Sequence, residues 1–382
     1  MDKLREKVLI LASVASMIDQ FNIPNIKLLQ NMGYEVHVAC NFENGNTCSF
    51  EKIQKLKEYL NKLGVKYYQI NFERNILKIT NNLRAYKEVK NILLENKYKF
   101  LHCHSPIGGV VGRIAGHKTQ TKVIYTAHGF HFFKGAPLIN WILYYPIEKY
   151  LSKYTDILIT INQEDYKKAK TFHAKKIEYI PGIGINIEKI KNTIVDKKKK
   201  REELGLRENS IVFISVGELS KRKNHIIPIR ALSQLRDNKN IFYLIAGIGP
   251  LENYLKEECK KLGIENQVKF LGFRKDVYEL YKISDICIFP SLQEGLPVAL
   301  MEAICCNLPV ICSNIRGNND LVEDGKNGFL IENKTEEYSK KLDFLIKNRN
   351  FYKNLESINK KIVKEININN IEEKMKKIYK II

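Results

Sequence analysis

Short apolar runs alternate with helical patterns from one end of this chain to the other, and that alternation restricts it to a layered α/β fold on parallel sheets. In the first half the runs are Lys7 to Leu11, Glu35 to Cys40, Lys66 to Ile70, Phe100 to His102, Lys122 to Ala127, Asp156 to Ile161 and Lys176 to Ile180. The second half continues with Ile211 to Val216, Ile241 to Ala246, Val268 to Leu271, Ile286 to Phe289 and Pro309 to Cys312. A chain of 382 residues is long enough for two domains with separate cores. Two parallel, helix-covered sheets are therefore expected, with ligands beyond the carboxyl ends of the strands. The break falls within Pro181 to Asn209, where a Pro-Gly-x-Gly turn precedes the charge run Lys197 to Arg201, read as a solvated linker face. The predicted division is a domain over 1–188, a linker over 189–209, a second domain over 210–358 and a C-terminal segment over 359–382. That last segment carries Ile371, Met375, Ile378 and Tyr379 at helical spacing.

Several classes of protein are set aside by composition. No run approaches the roughly 18 uninterrupted apolar residues of a membrane span. Lys3, Arg5 and Lys7 ahead of Val8 to Ile18 imitate a secretory signal, but Lys7 to Ser13 is needed as the first strand of a strand, helix (Pro24 to Met32), strand unit. Cys40, Cys48, Cys103, Cys259, Cys287, Cys305, Cys306 and Cys312 include no Cys-x-x-Cys pair and read as reduced, buried thiols of a cytosolic protein. The formal net charge of +21 would attract nucleic acid, an anionic membrane surface or phosphorylated substrates. A nucleic-acid partner is disfavoured, because the basic residues form no recognisable reading motif.

The chemistry concentrates in Phe289-Pro-Ser-Leu-Gln-Glu-Gly-Leu-Pro-Val-Ala-Leu-Met-Glu302. An apolar strand runs into a polar loop, and Pro297 is suited to the first position of a helix that continues through Glu302. The free N–H groups of Gly295, Leu296 and the helix start, with the positive end of the helix dipole, favour a diphosphate. Glu294 then lies in the loop beside the phosphate position, and Glu302 about 7 Å deeper along the helix at 1.5 Å per residue. One carboxylate can reach a sugar and the other the ribose hydroxyls.

This pattern resembles the donor-site signature of the retaining family 4 glycosyltransferases of GT-B architecture, and the resemblance extends over nearly the whole chain. It implies two Rossmann-like domains whose parallel sheets face an interdomain cleft, a C-terminal helix crossing back to the first domain, and a nucleoside-diphosphate sugar as donor. Gly217-Glu-Leu-Ser-Lys-Arg-Lys-Asn224 stands where the family commonly has Gly-Arg-Leu, three residues, Lys. Lys223 matches the lysine on the donor phosphates, whereas Glu218 replaces the usual arginine, leaving Lys221 or Arg222 to supply the second charge. Gly249, in Ala246-Gly-Ile-Gly-Pro250, matches the turn that closes the donor cleft. Position 252 is Glu, so the third glycine of a dinucleotide fingerprint is missing and NAD is disfavoured. Gly272-Phe-Arg274 resembles the segment that meets the nucleobase, read as uracil.

Two histidine clusters end strands of the first half. His128, in Thr126-Ala-His-Gly129, matches the family histidine that faces the reacting sugar. His104, in Leu101-His-Cys-His-Ser-Pro106, lies where donor or acceptor contacts are common, and His131 follows in the aromatic stretch Phe130 to Tyr150. His102 and His104 as metal ligands would lack a third and fourth partner, and His102 and His117 read better as satisfied structural histidines. The aromatic stretch, kinked at Pro146, is either a core helix or a surface that rests on a bilayer and accepts a lipid-linked sugar. Its His-Gly-Phe-His-Phe-Phe start resembles bacterial exopolysaccharide and capsule enzymes. The chain contains no Asp-x-Asp, so no metal or other cofactor is expected beyond the nucleotide-sugar substrate. The reading is a peripheral, cytoplasmic glycosyltransferase that uses a UDP-sugar and a lipid-linked saccharide at an anionic membrane. The catalytic residues would be His128 and Glu294, the donor contacts Gly217, Lys223, Gly249, Arg274, Gly295, Leu296, Pro297 and Glu302, and the acceptor contacts His104 and His131. The alternative is a UDP-sugar epimerase of the same architecture.

Overall fold

The computed structural model describes residues 5–46, 48–73, 78–348 and 354–382; Lys3 lies outside them. The chain divides into two units, Met1–Ile183 with Asn369–Ile382, and Gly184–Ile368. In the first unit β1 (Lys7–Val14), β2 (Glu35–Asn41), β3 (Lys66–Gln69), β4 (Phe100–His104), β5 (Lys122–Ala127), β6 (Ile157–Thr160) and β7 (Lys176–Tyr179) form a parallel sheet of order β3-β2-β1-β4-β5-β6-β7. Successive side chains of β1 enter opposite cores, as a strand period of two requires. Val8, Ile10 and Ala12 join one core, and Leu9 and Leu11 the other. All five are fully buried, which explains why the run reads as continuously apolar.

The helices of this unit are α1 (Ala15–Phe21), α2 (Ile23–Asn31), α3 (Phe50–Lys62), α4 (Ile79–Asn96), α5 (Pro106–Thr119), α6 (Leu138–Ser152) and α7 (Gln163–Ala169). The short helix α1 was not expected from the sequence; Pro24 sits in the first turn of α2 as anticipated. Ile371, Met375, Ile378 and Tyr379 of the C-terminal segment pack into the same core as Val8 and Ile10. Tyr379 stacks on Phe100 with ring centroids 5.7 Å apart.

The second unit is built the same way. Strands β8 (Ile211–Val216), β9 (Ile241–Ala246), β10 (Val268–Gly272), β11 (Ile286–Phe289), β12 (Val310–Ser313) and β13 (Gly328–Ile331) form a parallel sheet of order β10-β9-β8-β11-β12-β13. The helices are α8 (Ile187–Asn192), α9 (Lys197–Glu203), α10 (Ile226–Ser233), α11 (Glu252–Lys261), α12 (Val277–Ile283), α13 (Val298–Cys305), α14 (Thr335–Lys347) and α15 (Leu355–Glu365); the C-terminal segment is α16 (Ile368–Ile381). Each sheet grows outward on both sides of its first strand. The strand order therefore reverses between β1 and β4 and again between β8 and β11, the positions where open α/β sheets hold ligands.

Residues 189–209 lie within the second unit; most of them are exposed, and two side chains of the charge run are tied to that unit. Arg201 donates to the carbonyls of Ile283 (2.7 Å), Glu208 (2.7 Å) and Ser210 (3.0 Å), and Lys200 pairs with Asp276 (2.6 Å) and Glu279 (2.7 Å). The charge run is amphipathic at the level of single residues, with two of its cations anchoring α9 to α12.

Candidate functional site

In the second unit, the loop after β8 and the loop after β11 meet at the strand-order reversal. Lys223 Nζ lies 2.7 Å and Arg222 Nη1 2.8 Å from the same oxygen, Glu294 Oε1. Arg222 also donates to Gln293 O (3.1 Å), and Arg316 Nε donates to Glu294 O (3.1 Å). Lys223 sits 4.6 Å from the centre of the Phe289 ring. Burial lowers its ammonium from the ordinary lysine value, and Glu294 opposes that shift. One carboxylate thus compensates two cations at the mouth of α13, a helix whose first N–H groups add further positive potential.

Pro297 is the residue before α13, not its first helical residue, with φ −78° and ψ 119°. A proline preceding the helix keeps its extended conformation, so the helix begins at Val298. Glu302 is the fifth residue of α13 and receives a hydrogen bond from Tyr278 OH (3.2 Å). Burial raises its carboxyl to about 7, against the lowering effects of Tyr278 and Lys189. Arg274 spends its guanidinium on Asp276, at 2.8 and 2.5 Å, and Gly272 O accepts from Gly247 N–H at 2.8 Å, which leaves the exposed Phe273 as the part of this segment turned to solvent.

Glycines hold these loops at contact distance. A Cβ at Gly249 would stand 2.5 Å from Leu219 O and 2.6 Å from Leu219 N, so Gly249 lets the turn after β9 lie against the loop that carries Lys223. Gly317, at φ +82°, likewise abuts Gly295 O, where a Cβ would be 2.3 Å away. Gly249→Ala is expected to destabilise the protein by about 1–3 kcal/mol through this overlap, measured by urea denaturation. Gly217 lies along the Lys223 side chain, and Leu296 is buried beneath the loop.

In the first unit His104 Nδ1 and His128 Nε2 are 3.0 Å apart, and both rings line a small cavity with Phe21, Thr126 and Glu372. His102 bonds Tyr379 OH (2.9 Å) and Thr126 Oγ1 (2.8 Å), the satisfied structural histidine expected. Burial lowers His102 to about 3 and His128 to about 4, and holds His104 well below the ordinary value with help from its two neighbours. All three are neutral at pH 7, so they act as hydrogen-bonding groups rather than as cations. His104 Nε2 is buried without a hydrogen-bond partner. His131 is not in this cluster; it stacks on Tyr144 (4.5 Å) and lines a separate cavity. His117 stacks on Tyr154 at 4.0 Å.

The sequence reading missed Tyr278, Arg316 and, His131 apart, the residues of that second cavity. Tyr278 had a positional signal, since it follows the Gly272-Phe-Arg274 segment at the start of a helix. Arg316 had none.

Two doubly wound units, one with a dication and carboxylate cluster at a helix start, make up a two-domain α/β architecture of the GT-B type. Residues 7–162 match the family model described as glycosyl transferase 4-like, and residues 196–362 the one described as glycosyl transferases group 1. The chain is 36% identical over 336 residues to EpsD of Bacillus subtilis (strain 168), a glycosyltransferase by name, covering 86% of this chain and 84% of EpsD. It is 31% identical over 330 residues to an Escherichia coli UDP-Gal:alpha-D-GlcNAc-diphosphoundecaprenol alpha-1,3-galactosyltransferase, covering 84% and 82%. Among solved structures, Anabaena HepE in complex with UDP-glucose superposes with a TM-score of 0.79 at 21% identity, over 98% of this chain and 100% of HepE. The chain belongs to the family 4 (group 1) glycosyltransferases of GT-B architecture.

Proposed function

We propose that this protein transfers a sugar, with retention of anomeric configuration and without a metal ion, from a UDP-sugar to a lipid-linked saccharide during cell-surface polysaccharide synthesis. The observation that carries this reading is the convergence of Lys223, Arg222 and Glu294 at the start of α13, about one turn before Glu302. Lys223, Arg222 and the α13 amides would hold the diphosphate and stabilise the charge that builds on it as the sugar departs. Arg222 takes the role of the arginine absent at position 218. Glu302 would accept from the ribose hydroxyls, Glu294 from the donor sugar, and the backbone at Arg274 would meet the uracil. His128 and His104 would position the sugar and acceptor, and the departing phosphate oxygen would take the acceptor's proton. The printed name of the Escherichia coli relative, with UDP-Gal as donor and a diphosphoundecaprenol-linked acceptor, and the UDP-glucose held by HepE, support the donor and acceptor classes.

The test is incubation with UDP-glucose, UDP-galactose, UDP-GlcNAc and UDP-GalNAc in EDTA, each with a short-chain polyprenyl-diphosphate GlcNAc acceptor. The expected product has the α configuration of the donor by NMR. An inverted product would overturn retention. Conversion of a UDP-sugar without acceptor, with solvent proton exchange, would favour the epimerase.

A peripheral position at the cytoplasmic face of the membrane fits α6. The helix is only half core: Trp141, Tyr144 and Tyr145 pack inward, while Leu138, Ile139 and Ile142 are 74%, 62% and 63% exposed. Lys134, Lys149 and Lys153 lie beside or along this helix. No helix among the described residues is long and apolar enough to cross a membrane, so the apolar face would rest on the bilayer with lysines at anionic headgroups. The double substitution of Ile139 and Ile142 by Ser is expected to weaken cosedimentation with phosphatidylglycerol vesicles by at least about tenfold.

A further inference from the structure

Strand order sets the loop after β11 between the loop after β8, which carries Lys223 and Arg222, and the turn after β12. That turn, Ser313 to Asn318, is fastened from within. Asn318 Nδ2 donates to Ser313 O (2.9 Å) and to Ser313 Oγ (3.2 Å), and Ser313 Oγ donates onward to Ser291 O (2.5 Å) at the start of the β11 loop. Ser313, Arg316 and Asn318 are all buried. The turn is therefore a fixed support for the loop beside it.

What it supports is a pair of successive peptides. Arg316 Nε donates to Glu294 O (3.1 Å). Gly317, at φ +82°, abuts the next carbonyl: a Cβ there would stand 2.3 Å from Gly295 O and 3.0 Å from Gly295 C, so the oxygen is the nearer atom. Two consecutive carbonyls thus face the same turn. A trans peptide directs its N–H opposite to its C=O, and no peptide bond among the described residues is cis. The N–H groups of Gly295 and Leu296 therefore point together away from the β12 turn, as in the anion-binding concavities that successive backbone N–H groups form. Neither donates to a protein atom among the described residues.

We infer that Arg316 is a positioning residue: with Gly317 it holds the backbone of Glu294, Gly295 and Leu296 so that two free N–H groups face the donor's diphosphate. Glu294 is then gripped from both flanks of its loop. Its carbonyl is held by Arg316, while its side-chain Oε1 pairs with Lys223 (2.7 Å) and Arg222 (2.8 Å). The amides and the two cations are thereby fixed relative to one another before a ligand arrives, which is the condition for electrostatic stabilisation without reorganisation. A purely structural arginine would alter stability alone. A positioning arginine alters phosphate affinity in a protein that still folds. The inference rests on the proposed donor site, and it names a residue outside that site's contacts that shapes it.

The test is NMR of the full chain labelled with 15N-glycine, the Gly295 signal being identified by its loss in Gly295→Ala. In the wild type UDP is expected to shift that signal and uridine to leave it nearly in place. Arg316→Met removes the donors and keeps much of the bulk. It is expected to move the Gly295 signal in the free protein, to weaken UDP about tenfold and to leave uridine affinity unchanged. Arg316→Lys, which keeps one donor and the charge, should fall between the two, and it is the variant read if circular dichroism shows Arg316→Met unfolded. A variant that binds UDP as the wild type does, that leaves the Gly295 signal unmoved, or that loses UDP and uridine in equal proportion would overturn the inference. So would UDP that binds the wild type without shifting Gly295. Failure of UDP to bind the folded wild type would instead overturn the donor reading, and the phosphate role of Arg316 with it.

Discussion

Replacing Glu302 by Gln is expected to remove most donor-nucleotide affinity while making the protein more stable above pH 7. Burial raises the Glu302 carboxyl to about 7 from 4.5. Between those values the folded chain keeps a proton that the unfolded chain releases, so Glu302 makes stability fall as pH rises across that window. Above pH 7 the fold carries a largely buried carboxylate at a cost of up to about 3 kcal/mol, less because the side chain retains some exposure. The amide carries no such cost and still accepts from Tyr278 OH. The ionised carboxylate, however, is the form that accepts charge-assisted hydrogen bonds from a ribose diol, at roughly 1.5–3 kcal/mol each. Losing about 3 kcal/mol raises Kd roughly a hundredfold. Urea denaturation should show Glu302→Gln gaining over the wild type at pH 8 and not at pH 4.5. Titrations should show nucleotide affinity rising from pH 6 to 8 in the wild type and flat in the variant. A variant that is less stable at pH 8, or that binds UDP normally, would contradict the assignment.

Lys223→Ala is expected to lower kcat by about 100- to 1,000-fold, the range found when one preorganised charge-stabilising group is removed. Lys223 is nearly buried and shares Glu294 Oε1 with Arg222, so its removal also leaves Glu294 with one cation instead of two. Arg222 remains at 2.8 Å, which should keep the stability loss below the roughly 3–5 kcal/mol of an unpaired buried charge. Because the proposed role of the lysine is to hold phosphate and not the nucleoside, UDP affinity should fall while uridine affinity stays the same. Equal weakening of both ligands would show that the variant has damaged the whole pocket.

The strands were legible because both faces of a parallel sheet are buried, so each central strand appears as an unbroken apolar run. Ile211–Val216, Ile241–Ala246 and Ile286–Phe289 are read from the sequence to the residue. Strand β13 was missed because Gly328-Phe-Leu-Ile331 is short, opens on glycine and follows a polar loop. The core-facing residues of α16 were visible in their spacing, since Ile371, Met375, Ile378 and Tyr379 are all buried. The cluster of Lys223, Arg222 and Glu294 was half legible. Both loops were identifiable as motifs, but only the fold shows that Arg222, and not Lys221, turns toward Glu294. The buried pairing of Glu148 with Arg113 and Tyr125 was invisible, because the partners lie 35 and 23 residues away in sequence. Convergence of side chains from different strands and helices leaves no periodic trace.

The most direct measurement is calorimetric titration of UDP, GDP and ADP into the wild-type protein in EDTA, with Glu302→Ala alongside as a folded control. The account predicts saturable binding of UDP, stronger than of GDP or ADP, and its loss in the variant. Failure of all three nucleotides to bind the folded wild type, or UDP binding that survives Glu302→Ala unchanged, would contradict it.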